Sequence, residues 1–385
     1  MTDFTKYEDY SEITDGKRHH TDHLAFFDEP VGIQRYDVVR HNWLEKLNNQ
    51  QLSFFWRPEE IDVTQDKADF ESMSEAEQHI FIANLKRQIA LDTIQGREPL
   101  KAFLPIASSP ENEAWCTIWS FSELIHSRSY THIIRGVLND PSVVFDDIES
   151  IPEITELQAD LSKYYDELER YNFLKEAKES YGMGVDYCSR KHKKAAYLAM
   201  VSVNTLEAIR FFVSFACSFA QMEINQKMDG NAKIIKLISR DESLHLVYTQ
   251  RVINRLIKED PEWAEVAEES RDEALAIFLD VVRQEKGWAK YLFKKGSMLG
   301  LNEQICCDYV DWIADKRARG IGLEYPYESP SKNPLPWMDS WLSSASKQTA
   351  LQESENDSYL LGIVGGDHAS TRKEIASIME EFGIV

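Results

Sequence analysis

The sequence predicts an all-α fold, a bundle of long helices around one large core. Three observations carry that expectation. Apolar residues recur at helical spacing along most of the chain, with almost no alternating strand pattern. Hydrophobic residues make up 43% of the 385 positions, enough to bury a sizeable core. Helix start and stop signals punctuate the periodic runs.

Taken in order, residues 1 to about 35 are polar and irregular, with a turn at Asp28-Glu-Pro-Val-Gly32. A first helix fits residues 36–50, and the aromatic run Leu52-Ser-Phe-Phe-Trp56 should pack across the body before Arg57-Pro58 stops it. Ser74-Glu-Ala-Glu77 fits a capping box, in which the serine covers free amides and the glutamate reaches back. The helix it opens should end near Gly96 and Pro99. Residues 112–137 form the next helix, stopped by Asn139-Asp-Pro141, and a charged helix fits 153–180 before Gly182 and Gly184. A long apolar helix follows from about Lys193, and another starts near Gly230-Asn231. Two more fit 261–293 and 302–318. Beyond Tyr325 prolines multiply, and Trp337 and Trp341 should anchor that segment. Residues 1–345 are read as one domain and 346–385 as a flexible tail rich in Ser, Glu, Asn and Gly. The tail closes on Ile375, Ile378, Met379 and Phe382, one face of a short helix suited to docking elsewhere.

Chemistry concentrates in Phe121-Ser-Glu-Leu-Ile-His-Ser-Arg-Ser-Tyr130. At ~100° per residue, Glu123, His126 and Tyr130 share a ~60° arc of one helix face. A carboxylate and an imidazole at i, i+3 can hold one metal ion, with a phenol, a one-electron donor, on the next turn. The same Glu-x-x-His spacing returns in Glu242 and His245. Two other helices each bring a lone carboxylate from apolar surroundings, Asp92 and Glu207. Four carboxylates and two imidazoles on four helices are the donor set of a di-iron or di-manganese carboxylate bundle. Oxygen-rich ligation suits iron or manganese better than zinc. The competing reading, satisfied core polar groups, must bury four carboxylates together without cations, which repel or protonate. His132 and His79 point off the ligand faces, and His19, His20, His23, His41, His192 and His368 lie outside these helices; all eight are read as non-ligands.

These residues bring a family into view. Leu52-Ser-Phe-Phe-Trp-Arg-Pro-Glu-Glu60, Leu91-Asp-Thr-Ile-Gln-Gly96, Phe121 to His132, Leu206-Glu-Ala-Ile-Arg-Phe211 and Arg240-Asp-Glu-Ser-Leu-His245 resemble the small, radical-generating (beta) subunit of class I ribonucleotide reductase. The matching runs are spread over most of residues 30 to 345. The resemblance implies a ferritin-like helical bundle with a dinuclear metal-carboxylate site. Asp92, Glu123 and His126 would bind one metal and Glu207, Glu242 and His245 the other, with Glu123 and Glu242 among the bridging ligands. The cofactor would be two iron ions, and a di-manganese form shares the ligand set. Dioxygen would react there and oxidise Tyr130 to a stable radical walled off by Phe211, Phe215 and Ile238. Trp56, Asp241 and His126 match the family's route for an electron and proton toward the surface. Tyr359 matches the tail tyrosine that relays the radical, and Glu353 a carboxylate of the same relay. The partner would be the large (alpha) subunit, reached through the C-terminal tail, and the small subunit itself would be a homodimer.

Two features depart from the family pattern or narrow it. The tail ending Ile378-Met-Glu-Glu-Phe-Gly-Ile-Val385 is longer and more helix-like than the commonest family ending. A tyrosine stands at the radical position and every carboxylate ligand is present, which argues against subclasses lacking the tyrosyl radical or the metal. A ferritin-like iron-storage protein and a di-iron oxidase or desaturase are the competing functions on the same bundle. The first needs neither Tyr130 nor a Trp-Asp-His path, and the second needs an open apolar channel where the sequence offers bulky phenylalanines.

Charge and cysteine usage frame the setting. A net charge of −22 argues against nucleic acid. Five cysteines without CxxC spacing argue for a reducing, cytoplasmic compartment. The N-terminus carries no signal-peptide pattern, and the apolar run 211–220 is too short to span a bilayer.

Overall fold

The computed structural model describes residues 19–29 and 31–343. Among them the chain forms helices α1 (Asn42–Ser53), α2 (Thr64–Glu71), α3 (Glu75–Gln95), α4 (Glu98–Phe103), α5 (Pro110–Val137), α6 (Ser142–Phe145) and α7 (Pro152–Glu179). There follow α8 (Ser189–Thr205), a π-helical turn (Leu206–Arg210), α9 (Phe212–Asn225), α10 (Asp229–Glu259), α11 (Pro261–Glu269), α12 (Arg271–Leu292), α13 (Glu303–Gly320) and α14 (Met338–Leu342). No strand forms among the described residues; two isolated bridges, Phe26–Ala107 and Met298–Leu301, are all the pairing there.

Local chemistry sets most boundaries. Ser74 and Glu77 close the expected capping box on α3, each covering the other's backbone amide. Ser109 caps α5 and Pro110 occupies its first turn, where a missing N–H costs nothing. Gly182, at φ +59°, follows the end of α7. The N-terminus of α10 is capped from a distance: Asp66 of α2 accepts from the amides of Gly230 (3.1 Å) and Asn231 (2.6 Å).

Four boundaries differ from expectation. The first helix starts at Asn42 rather than residue 36, because the His41 amide is taken by Glu111 Oε1 at 3.0 Å and the preceding stretch lies across α5. It also runs on through Leu52 and Ser53, so only the end of the aromatic run is extended chain. The segment 261–293 divides at Ser270, which breaks the helical geometry between α11 and α12. The apolar helix begins at Ser189 and widens into the π turn at residues 206–210. There Arg210 is clamped from two other helices, by Asp160 of α7 (2.9 Å) and Gln284 of α12.

Residues 189–225 are, by length and composition, sufficient to cross a membrane, so the expected argument from length does not hold. Burial decides instead: the most apolar window of this stretch is wholly enclosed by the other helices. Helices α7, α10 and α12 pack around α8, and α3 and α5 pack on each other. The five cysteines carry no disulfide.

Candidate metal centre

Four elements meet at one buried point. Helix α3 brings Asp92, α5 brings Glu123 and His126, the π turn brings Glu207, and α10 brings Glu242 and His245. None is more than 2% exposed. They form two overlapping groups, Asp92–Glu123–His126–Glu242 and Glu123–Glu207–Glu242–His245, whose donor atoms lie within 4.8 Å of one another. The helical spacing explains the local pairs: His126 Nδ1 is 3.2 Å from Glu123 Oε2, and His245 Nδ1 is 2.8 Å from Glu242 Oε2.

Glu123 and Glu242 stand between the two imidazoles. Glu123 turns its other oxygen to His245 Nδ1 (3.1 Å), and Glu242 turns its other oxygen to His126 Nδ1 (3.1 Å). Each therefore offers one oxygen to each half of the site, the arrangement a pair of bridging carboxylates requires. Asp92 and Glu207 cap the two ends. Asp92 Oδ1 and Glu207 Oε2 are buried without a hydrogen-bond partner. An unpaired carboxylate oxygen is costly to bury, and a cation satisfies it.

The electrostatics say the same. Burial, then repulsion from Glu123 and Glu242, holds Asp92 well above the ordinary carboxylate range. Burial and the same two neighbours do so for Glu207. Burial disfavours a charged imidazole, yet Glu242 and Glu123 outweigh it and pull His245 up to about 9. His126 is raised too, by Glu242, Asp241 and Glu123 against its burial. Without cations the cluster holds on to protons that bound metal would displace. Four carboxylates balance two divalent cations, leaving both imidazoles neutral as ligands. The donor set therefore fits a pair of oxygen-seeking cations.

Around this set lies a ring of donors. Tyr130, fully buried on α5, donates its hydroxyl to Asp92 Oδ2 at 2.7 Å. Its phenol is pushed well up by burial and by Asp92. Trp119 Nε1 donates to Glu123 Oε1 at 3.0 Å. Gln95 donates to Glu207 Oε1 at 2.6 Å and accepts from the Tyr165 hydroxyl at 2.7 Å. His126 turns its outer nitrogen, Nε2, to Asp241 Oδ2 (3.2 Å), which also accepts from Trp56 Nε1 (2.9 Å). Such partners fix the orientation and tautomer of the groups they hold.

The sequence had singled out Trp56, Asp241 and Tyr130, and the structure joins each to this cluster by hydrogen bonds. Phe211, Phe215 and Ile238 are all buried, with Phe211 and Phe215 stacked at 5.4 Å. His132 and His79 bond backbone oxygens away from the cluster, and His192 bonds Asn172. Tyr359, Glu353 and the tail face around Ile375 lie outside the described residues. Sequence reasoning missed Trp119, Gln95 and Tyr165. Trp119 stands four residues before Glu123 and Gln95 three after Asp92, so helical spacing held a signal for both. Tyr165 comes from α7, with no local signal.

The model of the family "Ribonucleotide reductase, small chain" matches residues 35–334. The chain belongs to this family. The ribonucleoside-diphosphate reductase 1 subunit beta of Escherichia coli O157:H7 is 49% identical to this ribonucleotide reductase small chain over 365 residues, covering 93% of it and 96% of the relative. A ribonucleotide reductase R2 subunit from Clostridium botulinum has the same fold, with a TM-score of 0.68 at 24% identity over 83% of this chain and 94% of that one. So does the dimanganese(II)-NrdF of Streptococcus sanguinis, with a TM-score of 0.61 at 18% identity over 81% and 100%. The bundle is therefore ferritin-like, as the sequence predicts. As a class I ribonucleotide reductase small subunit, the chain is part of an oxidoreductase whose other part is a large subunit.

Proposed function

We propose that this small subunit uses a dinuclear metal centre and dioxygen to make a stable radical on Tyr130, which the large subunit draws on to reduce ribonucleotides. The observation that carries the reading is the 2.7 Å hydrogen bond from a fully buried phenol to Asp92. Asp92, Glu123 and His126 would hold one ion and Glu207, Glu242 and His245 the other, with Glu123 and Glu242 standing between them. When bound, the ions supply the electrons that reduce dioxygen and the oxidising power that Tyr130 meets.

The chain's own residues do the rest. A phenol that loses an electron becomes a strong acid, and its proton passes along the short bond to Asp92 Oδ2. Burial excludes the water and reductants that quench a phenoxyl radical; Phe211, Phe215 and Ile238 line the pocket in this reading. A second phenol, Tyr165, is as well buried but stands one hydrogen bond further out, behind Gln95. That separation supports Tyr130 as the radical site. The buried bonded series Trp56–Asp241–His126 joins the cluster to a groove lined by Trp56 and Asp241, which supports it as the outward path of the electron and proton in this reading. Tyr359 and Glu353 continue the relay in the tail, which docks the large subunit. The subunit works as a homodimer in the cytoplasm, a setting that five unpaired cysteines support.

Iron is the metal of this reading, and manganese shares the ligand chemistry. Iron(II) and oxygen added to the purified subunit should give a tyrosyl optical and EPR signal. Tyr130→Phe should abolish that signal with metal content unchanged. A signal that persists in Tyr130→Phe overturns the assignment, and metal analysis of protein from its native host decides between iron and manganese.

A further inference from the structure

The two end carboxylates of the cluster are built alike. Asp92 has one oxygen bonded by Tyr130 and the other without a partner. Glu207 has Oε1 bonded by Gln95 and Oε2 without a partner. On the Asp92 side the donor is a phenol that has chemistry to do. On the Glu207 side it is an amide that cannot be oxidised at comparable potential and cannot titrate, so its contribution is directional.

We propose that Gln95, oriented by Tyr165, is a positioning residue that restricts Glu207 to offering a single oxygen, Oε2, to its metal ion. The proposal rests on the metal-binding reading above. Gln95 is wholly buried and three residues beyond Asp92, so α3 sets both end carboxylates from one face. Its amide could rotate and present oxygen to Glu207. Tyr165 opposes this: its hydroxyl donates to Gln95 Oε1 at 2.7 Å, a bond the flipped amide would give up while setting its oxygen against the Glu207 carboxylate. Glu207 needs such a constraint more than Asp92 does. It sits on the π turn, whose backbone departs from the regular helix, and its longer side chain has one more torsion to fix. With Oε1 held by Gln95, Glu207 would present Oε2 alone to the ion.

The test uses the full-length subunit and manganese(II) alone, read by titration calorimetry and EPR without turnover. Wild type should take up two manganese(II) ions per chain. Gln95→Leu should still take up two, with one step weakened about tenfold, the usual scale for loss of an outer-shell hydrogen bond, and with an altered EPR spectrum. Tyr165→Phe, which frees the amide to rotate, should change the spectrum in the same direction with a smaller affinity effect. If both variants fold and both reproduce the wild-type affinities and spectrum, the positioning role is overturned while the metal reading stands. If Gln95→Leu does not fold, Tyr165→Phe alone decides by the same spectrum. Wild type that binds no manganese(II) and no iron(II) overturns the underlying reading instead.

Discussion

A neutral imidazole locked inside the fold, His192, makes stability fall in acid. Its Nε2 donates to Asn172 Oδ1 at 2.8 Å and its Nδ1 accepts from the Tyr187 hydroxyl at 3.2 Å. One donor and one acceptor suit the neutral ring, and a second proton would have to turn the Tyr187 hydroxyl round and leave a charge in a buried site. Burial, with help from Lys175, pushes the group down to about 3. The unfolded chain takes up the proton near the ordinary value of ~6.5. As pH falls through that window the unfolded state gains protons that the folded state refuses. Stability is therefore full above about 6.5 and falls by up to ~1.4 kcal/mol per pH unit toward 3. His192→Gln keeps a donor and an acceptor but does not titrate. Between pH 7 and 5 the wild type should lose ~1–2 kcal/mol more than the variant in urea unfolding at equal metal loading. Parallel stability curves for the two proteins would refute the assignment.

At the scale of elements, the meeting of α2 and α10 is set by a glycine. Met228 precedes α10 in the left-handed region at φ 61° and offers no side-chain cap, so Asp66 and Asp69 of α2 take the first amides instead. That cross-helix cap demands close approach. A Cβ on Gly230 would lie 2.5 Å from the Asp62 carbonyl oxygen and 2.9 Å from Val63 Cγ1. Backbone cannot yield cheaply, so Gly230→Ala should cost ~1–3 kcal/mol. Gly287, within α12, is the control, because nothing lies within 4 Å of its added Cβ. Gly287→Ala should stabilise by up to ~1 kcal/mol through helix propensity. Chemical denaturation of the two variants checks both signs, and equal effects would show that close approach is not what α10 requires.

The same scale shows what the sequence could and could not reveal. The helix start at Glu75 was legible because its cap is local, written within four residues, whereas the helix expected from residue 112 starts two residues earlier, at Pro110 behind the Ser109 cap. The two Glu-x-x-His pairs were legible for the same reason, and the structure brings them together with Asp92 and Glu207. The π turn was not, since an extra residue per turn leaves the apolar run unbroken. Arg210, held by Asp160 and Gln284 from distant parts of the chain, closes that turn. The division at Ser270 and the Tyr165–Gln95–Glu207 series likewise depend on tertiary partners, which no local pattern encodes.

For the molecule as a whole, the surface around the metal helices offers one apolar face to the homodimer proposed above. The outer face of α5 exposes Phe121 and Leu124, each about half exposed, beside Phe55 and Leu52 at the end of α1. Phe55 and Phe121 stack at 6.0 Å and wall a shallow apolar groove whose lining includes Trp56 and Asp241. A chain with a net charge of −22 repels its own kind, so self-association needs a face from which acidic groups are withheld. This face, whose exposed side chains Leu52, Phe55, Phe121 and Leu124 are uncharged, meets that need. Phe121→Lys with Leu124→Lys should therefore turn a dimer into a monomer in sedimentation experiments. Both side chains are solvent-facing in the single chain, so its helical circular dichroism should be unchanged. A double variant that still sediments as a dimer would place the contact elsewhere on the bundle.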